Sequence, residues 1–407
     1  MLVLSYAVVS GLVKRWYVAP ALIFTLLGVL LGSFGLGLVD AAESAHTFTV
    51  LAQLALTVIL FNQASAFDVR KLFRRGEHML RLLGVGIPVS FALGTATALA
   101  LLPTLPMWEA VCLAVIVAPT EVALIEALLE DSRIPERVRH IMSHESGFYD
   151  GFALAALFAA IAAASQQADP APARWVWFAI RTELVSMVVG IVVGLAGALI
   201  VSRSRRSRWM SDTWAQLATL ALAVVCFSAG ELLHASGFVT AFAGGLSYAL
   251  VSTRRGEPAP PTQVTDATAQ LLEMLVFALL GATVVVPAWR DTGWRVVVFA
   301  VVALFAVRVV AVLIALLGTE LQFADRVFVG WFGPRGIGTL VLGLLVIERG
   351  ELTQQTVIGQ AVVVTVTLSL VLHSFSTPPG IRLLARRAQV SATAPPALEN
   401  GSRDPVP

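Results

Sequence analysis

Apolar segments of about 17 to 28 residues, the length that crosses a hydrocarbon core of ~30 Å, recur along almost the whole chain. They lie near 1–13, 17–33, 47–63, 79–102, 107–129, 137–164, 174–202, 214–233, 236–250, 267–287, 294–318, 326–347 and 354–376. Lipid offers their amides and carbonyls no partner, so each run must satisfy its own backbone as a helix. Of the 407 residues, 57% are hydrophobic and 13% charged, with a mean hydropathy of +0.82, which excludes a soluble globular protein. The chain is expected to be an all-α polytopic membrane protein of about thirteen transmembrane helices.

An odd number of spans puts the termini on opposite sides, and the basic residues test this. With the N-terminus outside, 21 of the 28 Lys and Arg fall in inside loops, five lie outside, and two, Arg308 and Arg335, lie within spans. The orientation is therefore N-terminus outside and C-terminus cytoplasmic, in the plasma membrane. The opening MLVLSYAVVSGLVKRW places its charges after the apolar run, the reverse of a secretory signal, and reads as a first helix shortened by a late start. Cys112 and Cys226 sit in apolar runs as packing residues. The stretch 386–407, rich in small residues and proline, is expected to be a disordered cytoplasmic tail. No metal-cluster, P-loop or nucleophile-elbow pattern is present, so neither an enzyme nor a cofactor protein is expected, and no nucleic-acid partner.

Charge at mid-membrane costs at least ~2.5 to 3.5 kcal/mol per residue, so such residues face a partner or a watery path. His144-Glu145-Ser146-Gly147-Phe148-Tyr149-Asp150-Gly151 holds two acids in the sixth span. On a helix Glu145 and Asp150 lie about 140° apart, while Ser146–Asp150 and Glu145–Tyr149 are each about 40° apart. One face thus offers a carboxylate with a hydroxyl one turn away, suited to a small hard cation or a proton. The other needs a basic partner, and Arg308 in the eleventh span matches the depth of Glu145, so a structural ion pair is expected between them. Asp150 is then the acid left to exchange a proton for a cation. Glu126, closer to the inner end, reads as solvated; Glu231, His234 and Glu273, near segment ends, read as interfacial.

Two spans carry breaks. In Val117-Ala118-Pro119-Thr120-Glu121 the proline frees a carbonyl, and Gly333-Pro334-Arg335-Gly336-Ile337-Gly338 does the same at equal depth. Paired breaks in the two halves of a chain point to an inverted-repeat transporter with its site between them. Arg335 would offset the carbonyl ends of half-helices, and Glu121 would reach the site or cap freed amides.

These segments resemble those of a known family. LFNQASAFDVRKLFRR (60–75), VAPTEVAL (117–124), RVRHIMSHESGFYDG (137–151), the Arg308 helix, WFGPRGIGTLVLGLLVIE (331–348) and VTLSLVLHSFSTPP (366–379) are similar to sodium/proton antiporters of the cation:proton antiporter superfamily. The likeness is to the branch of electroneutral prokaryotic antiporters and animal sodium/proton exchangers, and covers residues 1–385. It implies an inverted-repeat antiporter fold with two unwound crossing helices, a core of helices at about 79–164 and 294–376, a dimerisation scaffold from the remainder, and a homodimer. The family's motif aspartate falls on Asp150, its serine ligand on Ser146, its crossing threonine on Thr120, and its structural pair on Glu145 and Arg308. Asp150, Ser146 and Thr120 would hold the metal ion, with Tyr149 and Glu121 beside it, while Pro119, Gly333, Pro334, Arg335 and Gly336 support the unwound helices. Two departures stand out: Tyr149 where the branch usually has Asn, and Glu121 where it usually has Asp. The implied activity is electroneutral exchange of Na+, K+ or Li+ for a proton under alternating access, with no cofactor. A non-transporting ion sensor on the same scaffold and a cation channel are the alternatives.

Overall fold

The structure, a computed structural model, describes residues 2–65, 77–166, 172–254, 263–349 and 352–393. Apart from an isolated bridge between Gly32 and Val39, the described residues form helices and turns. In order these are α1 (Leu2–Arg15), α2 (Pro20–Leu31), α3 (Ala41–Ser65), α4 (Glu77–Leu101), α5 (Met107–Val117), α6 (Glu126–Leu129), α7 (Glu136–Gln166), α8 (Pro172–Arg206), α9 (Asp212–Leu232), α10 (Gly237–Arg254), α11 (Gln263–Arg290), α12 (Trp294–Ala315), α13 (Phe323–Trp331), α14 (Ile337–Arg349) and α15 (Gln355–Thr393). Among the described residues, seven helices are long and apolar enough to cross a membrane, and five shorter apolar helical stretches accompany them.

Two of the long helices widen where proline removes an amide donor. In α4 a π turn at Leu82–Gly86 precedes Pro88, and in α11 another at Gly281–Val285 precedes Pro287. A third, Val302–Val307 in α12, has no proline and ends directly before Arg308. Such turns mark functional positions in many helices.

Lipid cannot drive helices together by hydrophobicity, so close approach of backbones matters more. Gly28 and Gly32 on α2 lie against the backbone of Ala278 and Ala282 on α11, and Gly281 lies against the Thr25 carbonyl. Gly190 and Gly194 on α8 meet α10 at Thr240, Ala243 and Gly244 in the same way. Any larger side chain at these contacts would push the helices apart.

Basic residues of the face expected to lie inside, the basic face, are held by local bonds. Lys14 pairs with Glu130 at 2.5 Å, Arg81 donates to the Leu317 carbonyl, and Arg326 donates to the carbonyls of Thr319 and Leu321. Tyr17 and Arg133 both hydrogen-bond Asp131, and the guanidinium holds that carboxyl well below the usual carboxylate range. At the opposite face Glu109, 3% exposed, ties α5 to the start of α15. Its carboxylate accepts from Thr353 N and Oγ1 and from Gln354 N at 2.7–2.9 Å. Glu109→Ala strands three donors at a helix N-terminus and is expected to cost about 1–3 kcal/mol, read as a lower melting temperature of the detergent-solubilised protein.

One sequence expectation changes. The last helix continues past Arg386 to Thr393 with Pro378 and Pro379 inside it, beyond the expected start of the tail; residues 394–407 lie outside the described residues. Residues 66–76, part of the 60–75 motif, also lie outside them.

Candidate functional site

Helix α5 stops at Val117, Ala118–Glu121 has no helical pairing, and a 3-10 turn at Val122–Ile125 leads into α6. Helix α13 stops at Trp331, residues 332–336 are not helical, and α14 begins at Ile337. The two breaks meet, with the Glu121 amide donating to the Pro334 carbonyl at 2.8 Å. Each interruption thus answers a backbone group that the other exposes, as irregular backbone at membrane depth requires. Both prolines fall inside the breaks, Pro119 on one strand of the crossing and Pro334 on the other.

Beside the crossing, Arg308 and Glu145 form a two-pronged ion pair, Nη1 to Oε1 at 2.6 Å and Nη2 to Oε2 at 2.7 Å. Both side chains are 3% exposed, so the charges neutralise each other in a dry setting and join α12 to α7. The Tyr149 ring lies over the guanidinium, 6.0 Å from its carbon, and packs with Ile87 and Ala118. Tyr149 is therefore a wall behind the arginine. It is not among the described residues lining the adjoining cavity.

That cavity, of about 10 Å3, is bounded by Thr120, Glu121, Ile125, Met142, Glu145, Arg308, Phe332 and Pro334. It has room for a single water-sized particle. Thr120 and Glu121 are 6% and 4% exposed, and the amides of Gly338 and Ala123 face the Glu121 carboxylate. Glu121 accordingly sits at the N-terminus of α14, where the helix dipole favours an anion. Ser146 and Asp150 lie one turn apart on α7; their side chains are outside the described residues.

Arg335 is 2% exposed and donates from Nη1 to the Gly333 carbonyl at 2.7 Å, within the break itself. Its amide donates to Ser369 Oγ. His373 Nδ1 lies 3.1 Å from that hydroxyl, and Nε2 lies 2.9 Å from the Trp331 carbonyl at the end of α13. Nδ1 also lies 2.9 Å from the Ser369 carbonyl, so each ring nitrogen faces a carbonyl oxygen, and a neutral imidazole donates to one of the two. Ser369 and His373 are thus part of the support for the second break, one turn apart on α15. Nothing in the sequence separates them from ordinary hydroxyl and polar residues of a membrane helix. Glu273, read as interfacial, is instead 3% exposed. It shares the buried stripe of α11 with Ala269, Val276, Phe277 and Leu280, and that spacing was the signal for it.

Glycine is required where the breaks touch the site. A Cβ on Gly333 would lie 2.7 Å from Arg308 Nε and 3.0 Å from the Thr120 methyl, and one on Gly336 would lie 2.7 Å from Glu121 Cγ. Arg308 is pinned by both prongs of its pair and cannot swing aside. Gly333→Ala is expected to destabilise the protein by about 1–3 kcal/mol through overpacking. Gly84→Ala, where a methyl would meet nothing within 4 Å, should leave the melting temperature in place.

Interrupted helices from opposite halves of the chain, crossing beside a buried ion pair and a particle-sized cavity, are the arrangement by which inverted-repeat secondary transporters build a site. The chain belongs to the sodium/hydrogen exchanger transmembrane family, whose model matches residues 2–382. A probable Na(+)/H(+) antiporter of Schizosaccharomyces pombe is 24% identical over 378 residues, covering 86% of this chain and 49% of that protein. The K(+)/H(+) antiporter NhaP of Alkalimonas amylolytica is 25% identical over 385 residues, 93% of this chain and 65% of that one. The chain thus spans about half to two thirds of the length of these two relatives. The fold is that of the sodium proton antiporter MjNhaP1 from Methanocaldococcus jannaschii, with a TM-score of 0.75 at 19% identity over 91% of this chain and 96% of that one.

Proposed function

We propose that this protein exchanges a monovalent cation, Na+, K+ or Li+, for a proton, electroneutrally and at one carboxylate, Asp150. The observation that carries this reading is the crossing of the two breaks beside the Glu145–Arg308 pair. Glu145 is committed to Arg308, which leaves Asp150 as the acid of α7 able to trade a proton for an ion. Deprotonated Asp150, with the Ser146 hydroxyl, Thr120 and carbonyls of the first break, takes a dehydrated cation; protonation releases it. One titrating carboxylate carrying each species in turn moves one cation per proton and no net charge. The names of the relatives, antiporters of Na+ and of K+ against protons, support the class of cargo.

On this reading the helices near 79–164 and 294–376 form the moving core, and the remainder a scaffold through which two copies dimerise in the plasma membrane. The N-terminus lies outside and the C-terminus in the cytoplasm, because the basic face then lies inside. No cofactor takes part. The test is cation-induced recovery of an imposed pH gradient in proteoliposomes, run with Na+, K+ and Li+ for the wild type beside Asp150→Asn. Absence of exchange with all three ions in the wild type would leave the ion-sensing alternative. A current that scales with voltage and does not saturate would favour a channel.

A further inference from the structure

Glu273 takes no part in the site described above, yet its surroundings are unusual for an acid. It lies ten residues into α11, about 15 Å along the helix from Gln263, on a helix that packs against α2, α3, α9 and α14. It is 3% exposed, and its Oε1 is buried with no hydrogen-bond partner. Buried polar atoms in native proteins are almost always paired, so an orphaned carboxylate oxygen asks for an explanation. No basic side chain among the described residues supplies one. The charged groups that act on Glu273 are two more acids, Glu121 at the crossing and Glu126.

These acids have an order in space. Glu126 is exposed and within electrostatic range of Lys14 on the basic face, whereas Glu121 is buried and lines the cavity. Glu273 is buried on a helix whose basic-face end carries Asp266, bonded to Asn62 on α3. Carboxylates that repel one another, where no arginine or lysine among the described residues acts on Glu273, are stabilised together by a positively charged particle.

We propose that Glu273 is a second cation-holding carboxylate of this protein, placed on the path from the basic face to the crossing, where a dehydrated monovalent cation docks between Glu273 and Glu121 before it reaches the central site. The inference rests on the antiport reading and adds a residue to it. A Glu273 that merely stays protonated would be silent toward cations, and this is what the experiment separates.

The full-length protein is purified in detergent and treated with dicyclohexylcarbodiimide, which modifies buried carboxyls, in choline chloride and in the chlorides of Na+, K+ and Li+. Modification of the Glu273 peptide is followed by mass spectrometry. In parallel, Glu273→Gln and Glu273→Asp are reconstituted, and the apparent KM for the cation is measured from the basic face. Expected are an about threefold or greater slowing of Glu273 modification by at least one cation, and an about tenfold higher KM for Glu273→Gln with maximal rate within about twofold. Glu273→Asp should recover part of the affinity. Modification indifferent to every cation, or an unchanged KM in Glu273→Gln, overturns the proposal. Should Glu273→Gln not fold, wild-type protection alone decides. If the wild type exchanges no cation, the antiport reading fails, while protection of Glu273 still shows whether the carboxylate binds an ion.

Discussion

Glu145→Ala is expected to remove most of the folded protein from the membrane. The change leaves the Arg308 guanidinium buried without its carboxylate, and breaking a buried pair from one side costs about 3–5 kcal/mol, a large fraction of the stability of a typical protein. Arg308 is faced by Tyr149 and Gly333 and shares its cavity with Thr120 and with Glu121, an acid already met by the amides of Gly338 and Ala123, and its Nε lacks a partner. Arg308→Ala should be equally harmful, by the mirror argument. Replacing both partners by leucine and methionine should restore much of the yield, because two charges are then removed together. The measurement is monodisperse protein recovered by fluorescence-detected size exclusion, with melting temperatures for whatever survives. Single variants as abundant and heat-stable as the wild type would show that the pair does not hold α7 to α12.

Asp150→Asn should have the opposite signature, with folded yield preserved and exchange lost. An amide has nearly the carboxylate's shape but neither accepts a proton in the working range nor neutralises a cation, so the cycle has no step left at that position. The loss should be at least about a hundredfold, down to the leak of empty liposomes, equivalent to about 2.7 kcal/mol or more of transport barrier. Cation-dependent pH recovery within about twofold of the wild type would move the transport site elsewhere on the chain. Comparing the two variants also tests the division of labour on α7, because one acid is assigned to holding the bundle and the neighbour five residues on to the ion.

Much of this arrangement can be read from residues alone, for physical reasons that also explain the misses. Proline and glycine inside an apolar run cannot be hidden, so both breaks are visible as Pro119 and as Gly333-Pro334. Their meeting through Glu121 and Pro334 is not, since the contact joins residues more than two hundred positions apart. A lone arginine at mid-membrane demands an acid at equal depth, which made Glu145 the natural partner of Arg308. Glu273 was misread because its span was bounded by hydropathy at 267, near enough to make the acid look interfacial. The helix begins at Gln263, since Thr265 and Ala269 bury as well as any aliphatic residue there. The last apolar run ends at 376, just before Pro378 and Pro379. In α15 the helix continues through them, with the Thr377 hydroxyl donating to the His373 carbonyl one turn back.

The choice of proline on both strands of the crossing has one more result. A proline brings an oxygen to the centre of the molecule and no hydrogen to pair with it, and here that happens twice over, at Pro119 and Pro334. The crossing is consequently two amide hydrogens short, and its carbonyl oxygens are met from elsewhere, that of Pro334 by the Glu121 amide and that of Gly333 by the Arg335 guanidinium.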